Sequence, residues 1–180
     1  IEEGDKYYLR NITWVGNTVF TTDGLNNVLK MKKGDVYNQT HIFKRLNTDD
    51  DAVGNFYYNK GYVFNSVEPV EVEIDGDSID LEIRIQENRQ AYINKINIYG
   101  NDRVYEDVIR RELMLKPGDL FNMDAYKLSY QQIAQMGHFD PEAMDFKPVS
   151  NPSTGTVDLN LGLTPKASDQ VEFSLGWGQT

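Results

Sequence analysis

The 180-residue chain has no cysteine and no apolar run long enough to cross a membrane as a helix. Without cysteine there can be no disulfides, thiolate metal ligands or cysteine nucleophiles. Without eighteen or more consecutive apolar residues there is no transmembrane helix. The N-terminal segment IEEGDKYY also lacks the basic and apolar regions of a secretory signal peptide. The chain is therefore a mature protein, a fragment or a protein that is not exported.

Basic residues are scarce. Residues 1–90 carry 10 basic and 16 acidic side chains, and residues 91–180 carry 8 and 12, which together give a net charge of −10. Binding of nucleic acid requires a basic surface to neutralise phosphates, so nucleic acid is disfavoured as a partner. Anionic membrane surfaces are disfavoured for the same reason.

A six-residue phrase occurs twice, as KGDVYN at residues 33–38 and as PGDLFN at residues 117–122. The offset of 84 residues holds without a gap over about thirty positions, which makes chance a poor explanation. Identical pairs at this offset include Ile12 and Ile96, Gly16-Asn17 and Gly100-Asn101, Asp23 and Asp107, Leu29 and Leu113, and Asn38 and Asn122. A unit of about 80 residues is the size of a domain, so the chain is predicted to be two copies of one domain.

The first copy predicts the order strand, helix, helix, strand, strand from its apolar periodicity. We place the N-cap of the first helix at Thr22-Asp23 and expect Gly34 to close that helix. The repeated phrase then joins the two helices, with Val36 and Tyr37 turned under the sheet. The remaining predicted elements are a strand at Tyr7–Val15, a second helix at Gln39–Lys60 with Ile42, Leu46, Val53 and Tyr57 on one side, a strand at Val63–Ile74, a hairpin turn at Asp75-Gly76-Asp77, and a strand in which Ile79, Leu81, Ile83 and Ile85 alternate.

The second copy repeats this order with a second helix that is about eight residues shorter, because Gly61 and Gly137 match at an offset of 76. The extra residues of the first copy include the acidic run Asp49–Asp51. The predicted elements are Tyr92–Tyr99, Val104–Leu115, Met123–Met136, Phe146–Val149 and a closing strand with Val157, Leu159, Leu161 and Leu163. The predicted fold class is α+β: two tandem β-α-α-β-β domains, each a three-stranded mixed sheet covered on one face by two helices.

This order of elements, with a Gly-Asn pair after the first strand, resembles the polypeptide-transport-associated (POTRA) domain. The second copy carries the fuller set of matching residues. They are Ile96, Gly100-Asn101-Asp102, Val108, Arg110-Arg111-Glu112, Gly118 and Met136-Gly137-His138-Phe139. In this form the chain is similar to the POTRA arm of BamA-like outer-membrane protein assembly factors.

The resemblance implies POTRA domains at 7–88 and 91–166, the last two before a barrel. Residues 1–6 would be the tail of a preceding repeat, and residues 170–180 the first strand of an outer-membrane β-barrel. Val171, Phe173, Leu175 and Trp177 alternate as a barrel strand requires. It also implies a periplasmic location and attachment to the bacterial outer membrane through the barrel of the full-length protein. The implied partners are unfolded outer-membrane proteins and accessory assembly lipoproteins, both bound non-covalently.

Two other classes of protein stay open as alternatives. The first is a two-partner secretion transporter, whose arm usually has two POTRA copies; the repeat-like start Ile1–Glu3 disfavours it. The second is a periplasmic division or adhesion scaffold built from similar modules; the barrel-like alternation from Val171 to Trp177 disfavours it.

The sequence offers little for catalysis. His41 and His138 have no partner at metal-ligand spacing, and the phosphate-binding, nucleophile-elbow and zinc-protease motifs are absent. Asp49–Asp51 lacks the spaced ligands and glycine of a calcium loop, so a solvated acidic bend is the favoured interpretation. We therefore expect no enzyme, no cofactor and no metal.

The first candidate binding site is the strand around Glu68, Val70, Val72 and Ile74. The resemblance implies that it lies at a sheet edge, where an extended peptide can add by main-chain hydrogen bonds with little demand on its sequence. The competing interpretation is that Glu68, Glu71 and Glu73 protect the edge from pairing.

The second candidate site is the run Arg110, Arg111 and Glu112, late in a predicted helix. The resemblance implies that this region docks an accessory lipoprotein. The competing interpretation is that the two arginines simply complement the negative end of the helix dipole.

Overall fold

A computed structural model describes residues 6–100 and 103–166, and the chain divides into two compact units between Arg89 and Gln90. Both units have the predicted β-α-α-β-β order. Unit 1 contains β1 (Tyr8–Val15), α1 (Thr22–Leu29), α2 (Gln39–Phe43), which continues as a π-helical turn (Lys44–Thr48), α3 (Val53–Tyr58), β2 (Ser66–Asp75) and β3 (Ser78–Gln86). Unit 2 contains β4 (Tyr92–Tyr99), α4 (Arg103–Glu112), α5 (Met123–Gln135), a 3-10 turn (Pro141–Ala143), β5 (Asp145–Asn151) and β6 (Thr156–Gly162).

Each unit has a three-stranded mixed sheet with its last strand in the centre. The order is β1-β3-β2 in unit 1 and β4-β6-β5 in unit 2. The central strand is parallel to the first strand and antiparallel to the hairpin strand. The hairpin strands β2 and β5 are therefore edges, as the resemblance implies for the strand that contains Glu68.

The core of each unit lies between its sheet and its helices. Alternate residues of the central strands point into it: Ile79, Leu81, Ile83 and Ile85 in unit 1, and Val157, Leu159 and Leu161 in unit 2. The helical residues predicted to share one side, Ile42, Leu46, Val53 and Tyr57, are all buried against this layer. Burying each such side chain contributes about 1.5–3 kcal/mol relative to exposure, so this layer holds the helices on one face.

The second helix of unit 1 is interrupted, which corrects the prediction of one continuous helix at Gln39–Lys60. Its cause is Arg45, whose side chain is only 7% exposed. The guanidinium donates to the carbonyl of Leu29 at 3.1 Å and to Asp49 and Asp51 at 3.1 and 2.5 Å. The chain leaves the helix after Thr48 to bring these carboxylates back onto the buried cation. The acidic run is solvent-exposed as predicted, with Asp50 and Asp51 exposed, and two of its carboxylates are also ion-pair partners of Arg45.

The repeated phrase joins the two helices of each unit as predicted, but Gly34 does not close the first helix. The first helix ends at Leu29, where Lys30 takes the left-handed conformation, and Thr21 rather than Thr22-Asp23 is its N-cap. Gly34 lies in the next turn at φ 95°, where its N–H donates to the Leu9 carbonyl at 2.7 Å. In unit 2 the N–H of Gly118 donates to Ile93 at the same distance. The phrase therefore covers the outer side of the first strand in each unit.

The apolar residues of the repeated phrase differ in how deeply they are buried. Val36 is exposed and Tyr37 half-buried, which corrects the prediction that both turn under the sheet; in unit 2, Phe121 is buried. The asparagine that ends the phrase caps the following helix in both units, since Asn38 accepts from His41 and Asn122 from Ala125.

The glycine after the first strand is required by a close approach. Gly16 and Gly100 have φ of 94° and 77°, and a Cβ there would lie 2.0 and 2.1 Å from the carbonyl oxygens of Ile85 and Leu163. Only glycine lets the chain turn so close to the end of the central strand. Of the repeat tail predicted at residues 1–6 the structure describes only Lys6, and the barrel strand predicted at residues 170–180 lies outside the described residues.

Candidate functional site

A groove runs between helix α2 and the edge strand β2 of unit 1, and we call it the α2–β2 groove. Its volume is about 670 Å³. It is lined by Tyr37, Gln39, Thr40, Ile42 and Phe43 on the helix side and by Glu68, Pro69, Val70 and Glu71 on the strand side. Two of the four predicted edge residues, Glu68 and Val70, are thus brought into it.

The other two predicted residues lie further along the edge. Val72 and Ile74 are 48% and 55% exposed. Phe43 is also exposed, at 52%. Phe43 and Val70 line the groove, and Val72 and Ile74 continue the apolar character along β2, so the strand and its groove offer apolar contacts to an extended chain.

Two side-chain hydrogen bonds connect the start of α2 to the edge strand. The Tyr37 hydroxyl donates to the Glu71 carboxylate at 2.6 Å and the Gln39 amide donates to the same oxygen at 2.9 Å. These hydrogen bonds lower the pKa of Glu71, and the one from Tyr37 has the larger effect. The Glu71 carboxylate therefore stays charged. Partial burial and the bond to Glu71 raise the pKa of Tyr37 to about 12.

The main chain of β2 is only partly available for pairing. The side-chain amide of Asn47 donates to the Val67 carbonyl at 3.3 Å. Main-chain groups alternate between the two sides of a strand, so Pro69 turns to the same side and has no N–H to offer. The pairing register also shifts between Glu71 and Glu73, which marks a bulge at Val72. The first half of this edge is therefore blocked, and the bulge bends the second half.

The hairpin strand of unit 2 is blocked in a similar way. The Tyr126 hydroxyl donates to the Phe146 carbonyl, and Pro148 follows two residues later. Pro148 pairs with Leu159, whereas Pro69 pairs with Ile83, whose counterpart in unit 2 is Leu161. The proline of unit 2 therefore lies two residues nearer the hairpin turn. Both edge strands are thus shielded by a capped carbonyl and a proline, which lie at different positions along the two strands.

The Arg110–Glu112 run lies in the last turn of α4. Arg110 donates to Glu106 at 2.9 Å and to the Ile96 carbonyl at 3.2 Å, so it ties the helix to β4. Arg111 is exposed and Glu112 half-buried. A cavity of about 540 Å³ opens beside them, lined by Asp107, Arg110, Arg111, Leu113 and Lys116. Arg110 thus has a structural role, while Arg111 faces outward.

Sequence reasoning missed the residues that lock and cap the edge, namely Tyr37, Gln39 and Asn47. A signal existed for Tyr37, because the two copies of the repeated phrase differ there by one hydroxyl, Tyr37 against Phe121. The hydroxyl binds Glu71, whereas Phe121 is buried. Asn47 gives no signal, since an exposed asparagine in a helix has many possible roles.

The described residues contain no group of three or more histidines and carboxylates placed to hold a metal ion. His41 is exposed, in the first turn of α2. The ring of His138 meets that of Phe139 edge-on. Within residues 6–100 and 103–166, no helix combines the length and apolar composition needed to span a membrane.

Comparison with known proteins finds similar sequences among outer membrane protein assembly factors. The chain is 26% identical over 182 residues to the outer membrane protein assembly factor BamA of Neisseria meningitidis, covering 99% of this chain and 22% of the relative. It is 25% identical over 178 residues to BamA of Nitratidesulfovibrio vulgaris, covering 98% and 22%. The chain therefore spans about a fifth of the length of these relatives.

Two solved structures share the fold. The crystal structure of Haemophilus influenzae BamA POTRA3-5 matches with a TM-score of 0.71 at 19% identity, over 88% of this chain and 61% of that one. BamA from Haemophilus ducreyi lacking POTRA domains 1-3 matches with a TM-score of 0.68 at 19% identity, over 89% and 30%. The family model described as POTRA, surface antigen variable number repeat, matches twice, at residues 7–88 and 91–166. The chain belongs to the POTRA family, of which it carries two copies in succession.

Proposed function

We propose that this chain is part of the periplasmic arm of an outer-membrane β-barrel assembly factor, in which its two units are the last two POTRA domains before the barrel. The arm binds nascent outer-membrane proteins in an extended form and docks accessory assembly lipoproteins. Both interactions are non-covalent and require no cofactor. The observation that carries the proposal is the α2–β2 groove, which lies beside a sheet edge with exposed apolar side chains.

The groove suits an extended chain rather than a folded surface. Strands of outer-membrane barrels alternate apolar and polar residues, and an extended segment with this pattern can place one set of side chains against Phe43 and Val70. Main-chain pairing is then confined to the second half of β2, because the capped Val67 carbonyl and Pro69 block the first half. Such binding depends little on the exact sequence, as a receptor for many barrel proteins requires.

Arg111 is the residue we propose for docking an accessory lipoprotein. Its guanidinium is exposed beside the α4 cavity, whereas Arg110 is held by Glu106 and Ile96. Arginine is enriched at protein interfaces because its planar group makes several directed hydrogen bonds.

Photo-crosslinking in the full-length protein in outer membranes tests both contacts. A photoreactive residue in place of Val72 is expected to capture unfolded outer-membrane proteins during their insertion. One in place of Arg111 is expected to capture a lipoprotein. The control position is Lys33, which is exposed in unit 1 but lies away from the groove lining. Capture of outer-membrane proteins from position 33 as efficiently as from position 72 would contradict the proposed site.

A further inference from the structure

The edge strand of unit 1 differs in charge from that of unit 2. Strand β2 has the sequence SVEPVEVEID, with four carboxylates and no basic residue, a charge of −4. Strand β5 has the sequence DFKPVSN, with one carboxylate and one lysine, a charge of 0. Both are hairpin strands with an internal proline and a capped carbonyl, so charge separates two otherwise similar edges.

The carboxylates of β2 lie where an occupant of the α2–β2 groove would meet them. Glu68 and Glu71 line the groove itself. Glu73 and Asp75 continue along the strand, where each contacts Arg10 at 3.5 and 2.9 Å. That arginine is shared with Asp80 of the central strand at 2.7 Å. One cation thus serves three carboxylates, and the strand retains a negative excess.

The two groove carboxylates have no basic partner to neutralise them. Glu68 is exposed, and among residues 6–100 and 103–166 it takes part in no ion pair. The facing residue in the sheet, Arg84, instead donates to Glu82 at 3.2 Å. Glu71 is bound by the neutral groups of Tyr37 and Gln39. Both carboxylates are therefore available to a cation brought by a ligand.

The apolar part of the site is complementary to this charge. Exposed Phe43 and half-buried Val70 line the groove, and exposed Val72 and Ile74 alternate with the carboxylates along β2. The pairing of Glu68 with Arg84 and of Val70 with Glu82 puts these two side chains on one face of β2, and the pairing of Glu71 with Leu81 and of Ile74 with Ile79 puts those two on the other. Each face thus carries a carboxylate and an apolar side chain, so an extended ligand in which basic and apolar residues are interspersed can make both kinds of contact.

Resting on the function proposed above, we propose that the α2–β2 groove of unit 1 selects, among extended outer-membrane protein segments, those that carry lysine or arginine between apolar residues. Acidic segments of the same apolar pattern are excluded by repulsion from Glu68 and Glu71. Charge complementarity of this kind gives specificity and faster association more than it gives affinity. Unit 2, with its neutral β5 edge, does not discriminate.

Three extended peptides test the selection, each with the same alternating apolar residues and with lysine, glutamine or glutamate at the polar positions. They are titrated at low salt into the ¹⁵N-labelled 180-residue chain, and the amide shifts of β2 and α2 are followed. The lysine peptide is expected to bind roughly fivefold tighter than the glutamine peptide, since exposed ion pairs each contribute little. The glutamate peptide is expected to bind weaker again, and the differences should shrink at high salt as charges are screened.

Two variants locate the effect. Glu68→Gln should weaken the lysine peptide about threefold and leave the glutamine peptide unchanged, because this carboxylate lines the groove without an ion-pair partner. Asp145→Asn on the β5 edge is the matched control and should change neither. Equal affinity of all three peptides for β2 would overturn the charge selection and leave the proposed function standing. Absence of β2 shifts with every peptide would overturn the proposed function itself, and the selection with it.

Discussion

The first strand of each unit contains a bulge, and the side-chain interaction that stabilises the bulge differs between unit 1 and unit 2. The bulge falls at Arg10 in β1 and at Asn94 in β4, two residues separated by the repeat offset. Arg10 binds Asp80 with two hydrogen bonds at 2.9 and 2.7 Å, whereas Asn94 donates to Asp158 at 3.0 Å. The aspartates occupy equivalent places in the central strands. The same geometry is therefore supported by an ion pair in one copy and by a neutral donor in the other.

The junction between the two helices repeats this contrast. Arg45 and Ser129 are separated by 84 residues, and among the described residues they are the buried polar or charged ones. Arg45 donates to the Leu29 carbonyl at the end of α1, whereas the Ser129 hydroxyl accepts from the N–H of Met114 after α4 at 2.7 Å. A buried cation needs counter-charges and a small hydroxyl does not. The extra residues of unit 1 supply those counter-charges, which gives the acidic run a structural reason.

A third difference lies after the central strand. In unit 1, Glu87 accepts from the main chain of Thr18 and Val19 and from the Tyr57 hydroxyl at 2.7 Å. The equivalent place in unit 2, counted from the central strands, is Pro165, which has no such group. The shared backbone, which we call the frame, is thus held by charged side chains in unit 1 and by neutral ones in unit 2, and we call these side chains its supports. The two units should consequently lose similar stability when the frame is changed and different amounts when its supports are changed.

The largest expected effect tests the shared frame. Gly16→Ala and Gly100→Ala should each destabilise their own unit by about 3 kcal/mol, from the left-handed backbone and the clash with a sheet carbonyl. Gly34→Ala and Gly118→Ala are matched controls with positive φ but no atom within 4 Å of the new Cβ. They should cost only about 1 kcal/mol each.

The measurement is urea unfolding of the full chain, followed by the native NMR intensities of β3 amides for unit 1 and β6 amides for unit 2. The two units would not be equivalent if the losses of stability for Gly16→Ala and Gly100→Ala differed by about 2 kcal/mol, which is the difference expected between this pair and the control pair.

A smaller effect separates the two helix junctions. Arg45→Met should destabilise unit 1 by about 2 kcal/mol, because it leaves the Leu29 carbonyl without its donor, while Asp49 and Asp51 are partly exposed and return to water. Ser129→Ala should destabilise unit 2 by about 1 kcal/mol through the loss of the hydrogen bond to Met114. The same urea experiment reads each unit separately. If the arginine variant lost no more stability than the serine variant, the ion pairs around Arg45 would have no net structural value.

These contrasts also show how far the sequence could predict the molecule. The repeat, the order of elements and the buried alternation from Ile79 to Ile85 follow from periodicity, which is a local property. The interruption after Thr48 does not, because it depends on whether Arg45 points into the core, and arginine in a helix normally faces water. The edge at Glu68 is implied by the resemblance, but its shielding depends on a contact between Asn47 and Val67, which are twenty residues apart in sequence.

The smallest expected effect concerns acid. In unit 1 the hydrogen bonds from Arg10 lower the pKa of Asp80 to about 2, and those from Arg45 also lower the pKa of Asp51. Burial acts to raise the pKa of Glu87, but the hydrogen bonds it accepts outweigh burial and lower it. A carboxyl with a lowered folded pKa binds fewer protons in the folded state, so its contribution to stability is complete above the unfolded pKa near 4 and is lost as pH falls through the folded value.

Unit 1 should therefore lose more stability than unit 2 between pH 5 and about pH 2. Urea midpoints of β3 and β6 intensities at pH 7, 4 and 3 measure the difference. The control is Arg10→Asn, which places the residue of unit 2 in the bulge of unit 1 and removes the main cause of the lowered Asp80 pKa. This variant should start less stable at pH 7 and lose less on acidification. Parallel midpoints for the two units in the unmodified chain would mean that the charged supports of unit 1 are equivalent in free energy to the neutral ones of unit 2, and that the chemical difference between the copies does not affect their stability in acid.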